Sequence, residues 1–352
     1  MSFLALIKNQ LPIIQAPMAG GITPPMLVAA VSNAGAVGSF GFAYSKAEKI
    51  DADLSEVRLF TKRPINANFF IFSKPRLSTA QDWQIATEAL VSLPFSRGTL
   101  YQAGSQPFYP DLDKQLEPIW AHKPEILTFH FGVPPKNVLE KAKSLGIYVG
   151  VTATCVEEAE AIQSSGADFI VAQGIEAGGH RGTFSEEGVG DQKHPTFDLL
   201  QMLRERCTLP IISAGGIMNG ADIVKHTNQG ATGVQMGTSF VCCDESGADP
   251  VHKKYVLEER ERHTVYTKAF SGRWAQSIQT EFTSLMKDKF VLPFPLQNTL
   301  TGSLRSYAAI KKNGEYQSLW AGRGFREARS LPAAKLISEF VLEMKAALSK
   351  FD

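Results

Sequence analysis

Cysteine is scarce in this chain of 352 residues: Cys155, Cys207, Cys242 and Cys243 are all it has. No two stand in a CxxC pair, and adjacent Cys242 and Cys243 would bridge only with backbone strain. A disulfide framework is therefore excluded and reduced thiols are expected. Net charge is nearly absent. The 36 Lys and Arg against 35 Asp and Glu leave a formal +1, so nothing draws the chain to nucleic acid or to an anionic membrane. Long apolar runs are missing too. The most apolar window, residues 26–42, is interrupted by Ser32, Asn33, Gly35, Gly38 and Ser39, whereas a membrane-spanning helix needs about 20 mostly apolar residues. Residues 1–10 carry no basic segment ahead of an apolar stretch, so no secretory signal is read there and a cytoplasmic protein is expected.

What is present is a core-forming composition. Hydrophobic residues make up 44%, and a chain of this size buries roughly three quarters of its unfolded surface, so disorder is excluded. Eight short apolar and β-branched runs recur, each followed by a stretch with helical spacing. They lie at 12–18, 36–41, 64–72, 126–132, 148–154, 169–174, 210–216 and 233–238. Pro24 and Pro25 suit the first turn of a helix over 26–32, and Gly166 suits the C-cap of one over 156–165.

Eight βα units are the count of a (β/α)8 TIM barrel, which typically takes about 250 residues. The surplus falls mostly at 239–317, predicted to be an appended, mainly helical lobe on the barrel's C-terminal face. Within it, mixed charge over 249–268 reads as a solvated helix surface. An amphipathic helix over 331–349 closes the chain. The predicted domains are a barrel of 1–238 plus 318–352 and a substrate or lid lobe of 239–317, with an insert at 73–125 long enough for two helices.

Two glycine-bearing strand ends carry the strongest chemical signal: Ala214-Gly215-Gly216-Ile217 and Gln235-Met236-Gly237-Thr238. They fall at the exits of strands seven and eight, where such barrels commonly bind phosphate, because glycine lets backbone N–H groups approach an anion. Either motif alone also fits a plain tight turn; together at this spacing they favour phosphate. The sixth run ends in Ala177-Gly178-Gly179-His180-Arg181-Gly182, which lifts one imidazole over the barrel mouth. His180 suits proton abstraction or stabilisation of developing charge, against the plainer reading of a surface histidine. His130 either points into the mouth or sits hydrogen-bonded in the core. His122, His194, His226, His252 and His263 read as surface residues, and no pair of histidines has metal-ligand spacing with a carboxylate or thiolate, so no metal is expected.

At the ends of strands one and three, the small residues and prolines of Ile14 to Gly21 and Asn66 to Phe70 either leave room for a flat ring or pack the barrel bottom, and Asn68 and Gln173 offer amides to a polar heterocycle or serve as structural amides. No Lys closes strand six, which argues against a Schiff-base aldolase. No GxGxxG follows strand one, which argues against a dinucleotide-binding fold.

Together, Gln15 to Gly21, Asn66-Ala67-Asn68-Phe69, Phe129-His130-Phe131-Gly132, the Gly-Gly-His-Arg-Gly block, both glycine strand ends and Tyr316 to Gly322 resemble the nitronate monooxygenases, formerly 2-nitropropane dioxygenases. The resemblance implies noncovalent FMN, its phosphate at Gly215, Gly216 and the segment Gln235, Met236, Gly237 and Thr238. The isoalloxazine ring would lie near Met18, Asn68, Gln173 and Gly178, with His180 catalytic and His130 a substrate-contact candidate. It further implies oxidation by O2 of a small-molecule nitronate, with neutral nitroalkanes as a second candidate substrate class, in a monomer or homodimer without nucleic-acid or membrane partners. For the family's aromatic and basic lobe contacts, Arg305 and Tyr307 are the candidates in this chain. Two alternatives stay open: an FMN-dependent enoyl-acyl-carrier-protein reductase, and a non-catalytic barrel that binds FMN or phosphate.

Overall fold

The computed structural model describes residues 11–73, 78–96, 101, 107–185, 188 and 190–349. Residues 1–10, on which the reading of no secretory signal rests, lie outside them.

The eight predicted strands form as β1 (Ile13–Gln15), β2 (Gly38–Gly41), β3 (Ile65–Phe70), β4 (Ile126–His130), β5 (Tyr148–Ala153), β6 (Phe169–Gln173), β8 (Ile211–Ala214) and β9 (Gly233–Met236), with β7 (Gly179–His180) lying outside the barrel. All pairings among the eight are parallel, in the order β1-β9-β8-β6-β5-β4-β3-β2. A parallel bridge between Ile14 and Val37 brings the two ends together, so the sheet is a nearly closed TIM barrel. Strands buried on both faces read as continuous apolar runs rather than alternating ones, which is why each was visible in the sequence. Ile14, Val37, Ile126, Phe169, Val171, Ile212 and Ala214 form a buried cluster contributed by five of the eight strands or their flanks.

Local signals end the helices where expected. Pro25 opens helix Pro25–Asn33, and Gly166, with φ +88°, caps helix Val156–Ser165 in the left-handed conformation that L side chains avoid. The insert holds two described helices, Ala80–Val91 and Leu112–His122. The closing helix, Ala333–Leu348, returns to the barrel, where Leu336, Ile337 and Phe340 pack with Leu27, Val31 and Ile223.

Segment 239–317 contains helices Pro250–Glu258, Glu281–Leu285, Leu296–Leu300 and Gly302–Ile310, as a helical region should. It also contains two strands, β10 (Thr264–Thr267) and β11 (Ala275–Ile278), that the sequence reading had not placed. They pair antiparallel with each other, and β11 pairs with β7, setting Ala275 opposite His180. Among the described residues no helix is long and apolar enough to cross a membrane.

Candidate active site

The C-terminal ends of the barrel strands open into a cavity of about 850 Å³, a size that takes a cofactor and a small substrate. All the predicted site residues line it: Met18, Asn68, His130, Gln173, Gly178, His180, Gly215, Gly216, Gln235, Met236, Gly237 and Thr238.

One wall is bare backbone. Gly215 and Gly216 have φ +127° and +71°, and a Cβ at Gly215 would lie 2.7 Å from Thr196 Oγ1. Only glycine fits, because the chain leaving β8 is pressed against the loop after β6. That loop is fixed from below: the Glu176 carboxylate accepts hydrogen bonds from Thr196 N at 2.9 Å and Thr196 Oγ1 at 2.7 Å. Among the described residues no protein acceptor takes the N–H of Gly215 or Gly216, which leaves two adjacent donors for an anion. Gly178 and Gly322 cross nearby at contact distance, where a Cβ on Gly178 would sit 2.5 Å from the Ala321 carbonyl carbon. Gly322 N donates to Thr238 Oγ1 at 3.0 Å, tying the segment near Trp320 to the cavity wall.

His180 stands on β7, above this wall. Its backbone carbonyl accepts from Gln173 Nε2 at 3.0 Å and from His130 Nε2 at 3.1 Å. Its ring Nε2 lies 2.9 Å from Ser271 Oγ, and the same hydroxyl lies 3.1 Å from the Arg273 carbonyl, which only accepts. With the hydroxyl donating to that carbonyl, His180 Nε2 is the N–H donor and Nδ1 keeps its lone pair. Phe70, Phe131, Phe294 and Trp320 surround the imidazole with ring centroids 5.3–6.0 Å away. Burial, then the Arg273 guanidinium, pushes the His180 pKa down to about 3; burial does the same to His130. Both rings are neutral at physiological pH. Phe131, between His130 and Gly132, has φ +77°, a strained backbone for an aromatic residue and one that concentrates at functional sites.

The nitronate monooxygenase family model matches residues 2–343 of the chain. The chain belongs to the nitronate monooxygenase family. It is 37% identical to a nitronate monooxygenase of Pseudomonas aeruginosa, over 97% of this chain and 99% of the relative. It is 36% identical to one from Paraburkholderia phytofirmans, over 99% and 96%. A solved nitroalkane oxidase from Streptomyces ansochromogenes superposes with TM-score 0.91 at 34% identity, covering 99% of this chain and 100% of that one. FabK from Thermotoga maritima is more distant, with TM-score 0.76 at 26% identity over 99% and 96%. The relatives' shared name is that of an oxidoreductase, and the chain is an enzyme of that class.

In this nitronate monooxygenase family member, several sequence expectations need adjustment. Gln173 lines the cavity, but its amide is engaged within the loop: Nε2 bonds the His180 carbonyl and Oε1 accepts from Gly182 N at 2.7 Å. His226 and His252 are buried, contrary to the surface reading. His226 Nδ1 lies 2.9 Å from Ser213 Oγ, while His252 lines the cavity and donates from Nε2 to the Trp320 carbonyl at 3.1 Å. Of the two lobe candidates, Arg305 lines the cavity, whereas Tyr307 packs against Phe95 with ring centroids 5.2 Å apart.

Sequence reasoning missed Tyr44, Phe70, Asn298, Gln317 and Trp320, which also line the cavity. Asn298 sits in a helix with no chemical motif around it, and Tyr44 follows β2 in a stretch that read only as a strand exit. The aromatic run Phe69-Phe70-Ile71-Phe72 was the one available signal for an apolar wall.

Proposed function

We propose that the protein binds FMN without a covalent link and uses dioxygen to oxidise alkyl nitronates to a carbonyl compound and nitrite. The observation that carries this reading is the meeting, in one cavity, of open glycine backbone at Gly215 and Gly216 with a neutral imidazole at His180. Fit to FMN is supported by this chain's own groups. The glycine N–H donors suit its phosphate, and Met18, Asn68 and Gly178 line the part of the cavity assigned to the ring. Gln317 Nε2 is buried on the same cavity with no hydrogen-bond partner, an orphan that a polar cofactor would satisfy. When bound, FMN supplies the electron acceptor.

The side chains divide the remaining work. The aromatic rings around His180 keep water from the reacting centre and hold the imidazole in place. For a neutral nitroalkane, the lone pair on His180 Nδ1 takes the α-proton. For a nitronate that proton is already gone, and His180 only positions the substrate. Segment 239–317 is proposed as the lid lobe, since His252, Asn298, Arg305 and Ser306 reach the cavity from it.

The test is the visible spectrum of the purified protein, followed by anaerobic titration. Flavin absorbance bleached by ethyl nitronate, with no response to NAD(P)H, is the expected result. Bleaching by NAD(P)H alone would move the assignment to an enoyl-acyl-carrier-protein reductase, and a colourless protein that releases no flavin would remove both enzyme readings.

A further inference from the structure

Among the described residues lining the cavity, Arg305 is the only arginine or lysine. It stands on helix Gly302–Ile310. Half of its guanidinium is anchored to the preceding turn: Nε donates to Thr301 Oγ1 at 3.2 Å, and Nη2 to the Asn298 carbonyl at 2.8 Å and Asn298 Oδ1 at 2.9 Å. None of these acceptors carries charge. No described carboxylate forms an ion pair with Arg305, and its Nη1 has no hydrogen-bond partner among the described residues.

A second unsatisfied donor lines the same cavity. Tyr44 Oη is out of reach of water and has no hydrogen-bond partner. The Tyr44 ring meets Phe70 edge-on at 5.6 Å, and His180 meets the same Phe70 at 6.0 Å. Phenol and imidazole therefore border one apolar wall. Burial pushes the Tyr44 pKa up, with the Arg305 guanidinium acting the other way, so the phenol keeps its proton at neutral pH.

We propose that Arg305 and Tyr44 form an oxyanion receptor that selects the ionised nitronate over its neutral nitroalkane. This rests on the nitronate reading above. A nitroalkane and its nitronate have nearly the same shape, so a shape-matched apolar pocket cannot separate them. Charge can. A cation removed from water and left unpaired strongly favours an anion beside it, while a neutral ligand gains little. Arg305 offers two free N–H groups on Nη1, and Tyr44 one O–H, to oxygens bearing delocalised charge. Neutral His180 contributes none of this selectivity. The same receptor chemistry would hold a carboxylate carried elsewhere on a substrate, so the test must separate the two sources.

The experiment uses the holoenzyme and its Arg305→Gln, Arg305→Lys and Tyr44→Phe variants. Nitrate, a planar singly charged oxyanion, is the binding probe, read by calorimetry. Kinetics compare ethyl nitronate, which has no carboxylate, with nitroethane and with a carboxylated nitronate. Losing a charge-assisted hydrogen bond predicts nitrate binding weakened about tenfold or more in Arg305→Gln and about threefold in Tyr44→Phe, with partial recovery in Arg305→Lys. The preference for ethyl nitronate over nitroethane should fall about tenfold in Arg305→Gln. The melting temperature of Arg305→Gln should hold or rise, because a half-buried cation without a counter-ion is removed; a merely structural arginine would lower it.

Absence of nitrate binding by the wild type, or nitrate affinity unchanged in Arg305→Gln, overturns the receptor. So does a loss confined to the carboxylated nitronate, which would assign Arg305 to a substrate tail. The two readings fail separately. Arg305-dependent nitrate binding in a protein that oxidises no nitronate overturns the proposed reaction and leaves the receptor standing.

Discussion

Gln173 holds the backbone of His180: its Nε2 donates to the His180 carbonyl across 3.0 Å, from the last residue of a barrel strand to the residue carrying the imidazole. Its Oε1 fastens Gly182 at the far side of the histidine. Replacing Gln173 by Leu leaves the Gly182 N–H without this partner, at a cost of about 1–3 kcal/mol for a buried group left unpaired, while the carbonyl keeps only its bond from His130 Nε2. Turnover of ethyl nitronate should drop about 10- to 100-fold through misplacement, while His180 itself is untouched. Steady-state kinetics alongside a melting curve will separate misplacement from unfolding.

Replacing His180 by Asn separates proton abstraction from oxidation. Nitroethane turnover should fall about 100- to 10,000-fold, the usual contribution of a general base. Ethyl nitronate turnover should stay within about tenfold, because no proton need be removed. Equal losses on both substrates would give His180 a positioning role alone.

The histidines predict acid sensitivity with a definite sign. His130 and His180 are pushed down to about 3, and His226 and His252 to about 4, in each case first by burial. The unfolded chain binds these protons from about pH 6.5 downwards, while the folded chain refuses them until pH 3–4. Their contribution to stability is whole above pH 6.5 and is lost progressively as pH falls toward 4. Urea midpoints measured between pH 7.5 and 4.5 should decline, and His226→Gln should decline less steeply. A midpoint independent of pH over that range would contradict the buried, neutral state of these rings.

Gly216→Ala tests the backbone wall. A Cβ there would lie 3.0 Å from Glu176 Cβ, on a residue with φ +71°, and that left-handed conformation alone costs roughly 1–2 kcal/mol. The barrel should survive, but the flavin-to-protein ratio after dialysis should fall well below that of the wild type. An unchanged ratio would place the phosphate elsewhere.

Legibility in the sequence followed burial. The eight barrel strands are buried on both faces and mostly apolar, so their runs announced themselves, and Gly215, Gly216 and Gly178 could be singled out because backbone crowding demands glycine. β7 was invisible: Gly179 and His180 form a strand only because Ala275, nearly 100 residues later, lies beside them. His226 and His252 carried no burial signal, since a lone histidine in a helix looks the same whether Ser213 or the Trp320 carbonyl waits for it. Arg305 was legible as a basic residue near the end of the lobe, but its lack of a counter-ion is a property of three-dimensional neighbours.

The pairing of His180 with Ala275 has a practical meaning for protein engineering. A chimera that imports segment 239–317 from a relative would leave every barrel strand intact and yet re-aim the histidine, because the sheet that carries it would have new edges. Residues 179–182 should therefore travel with that segment as one graft, and the natural cut for module exchange runs through the loop after β6 as well as through the end of the barrel.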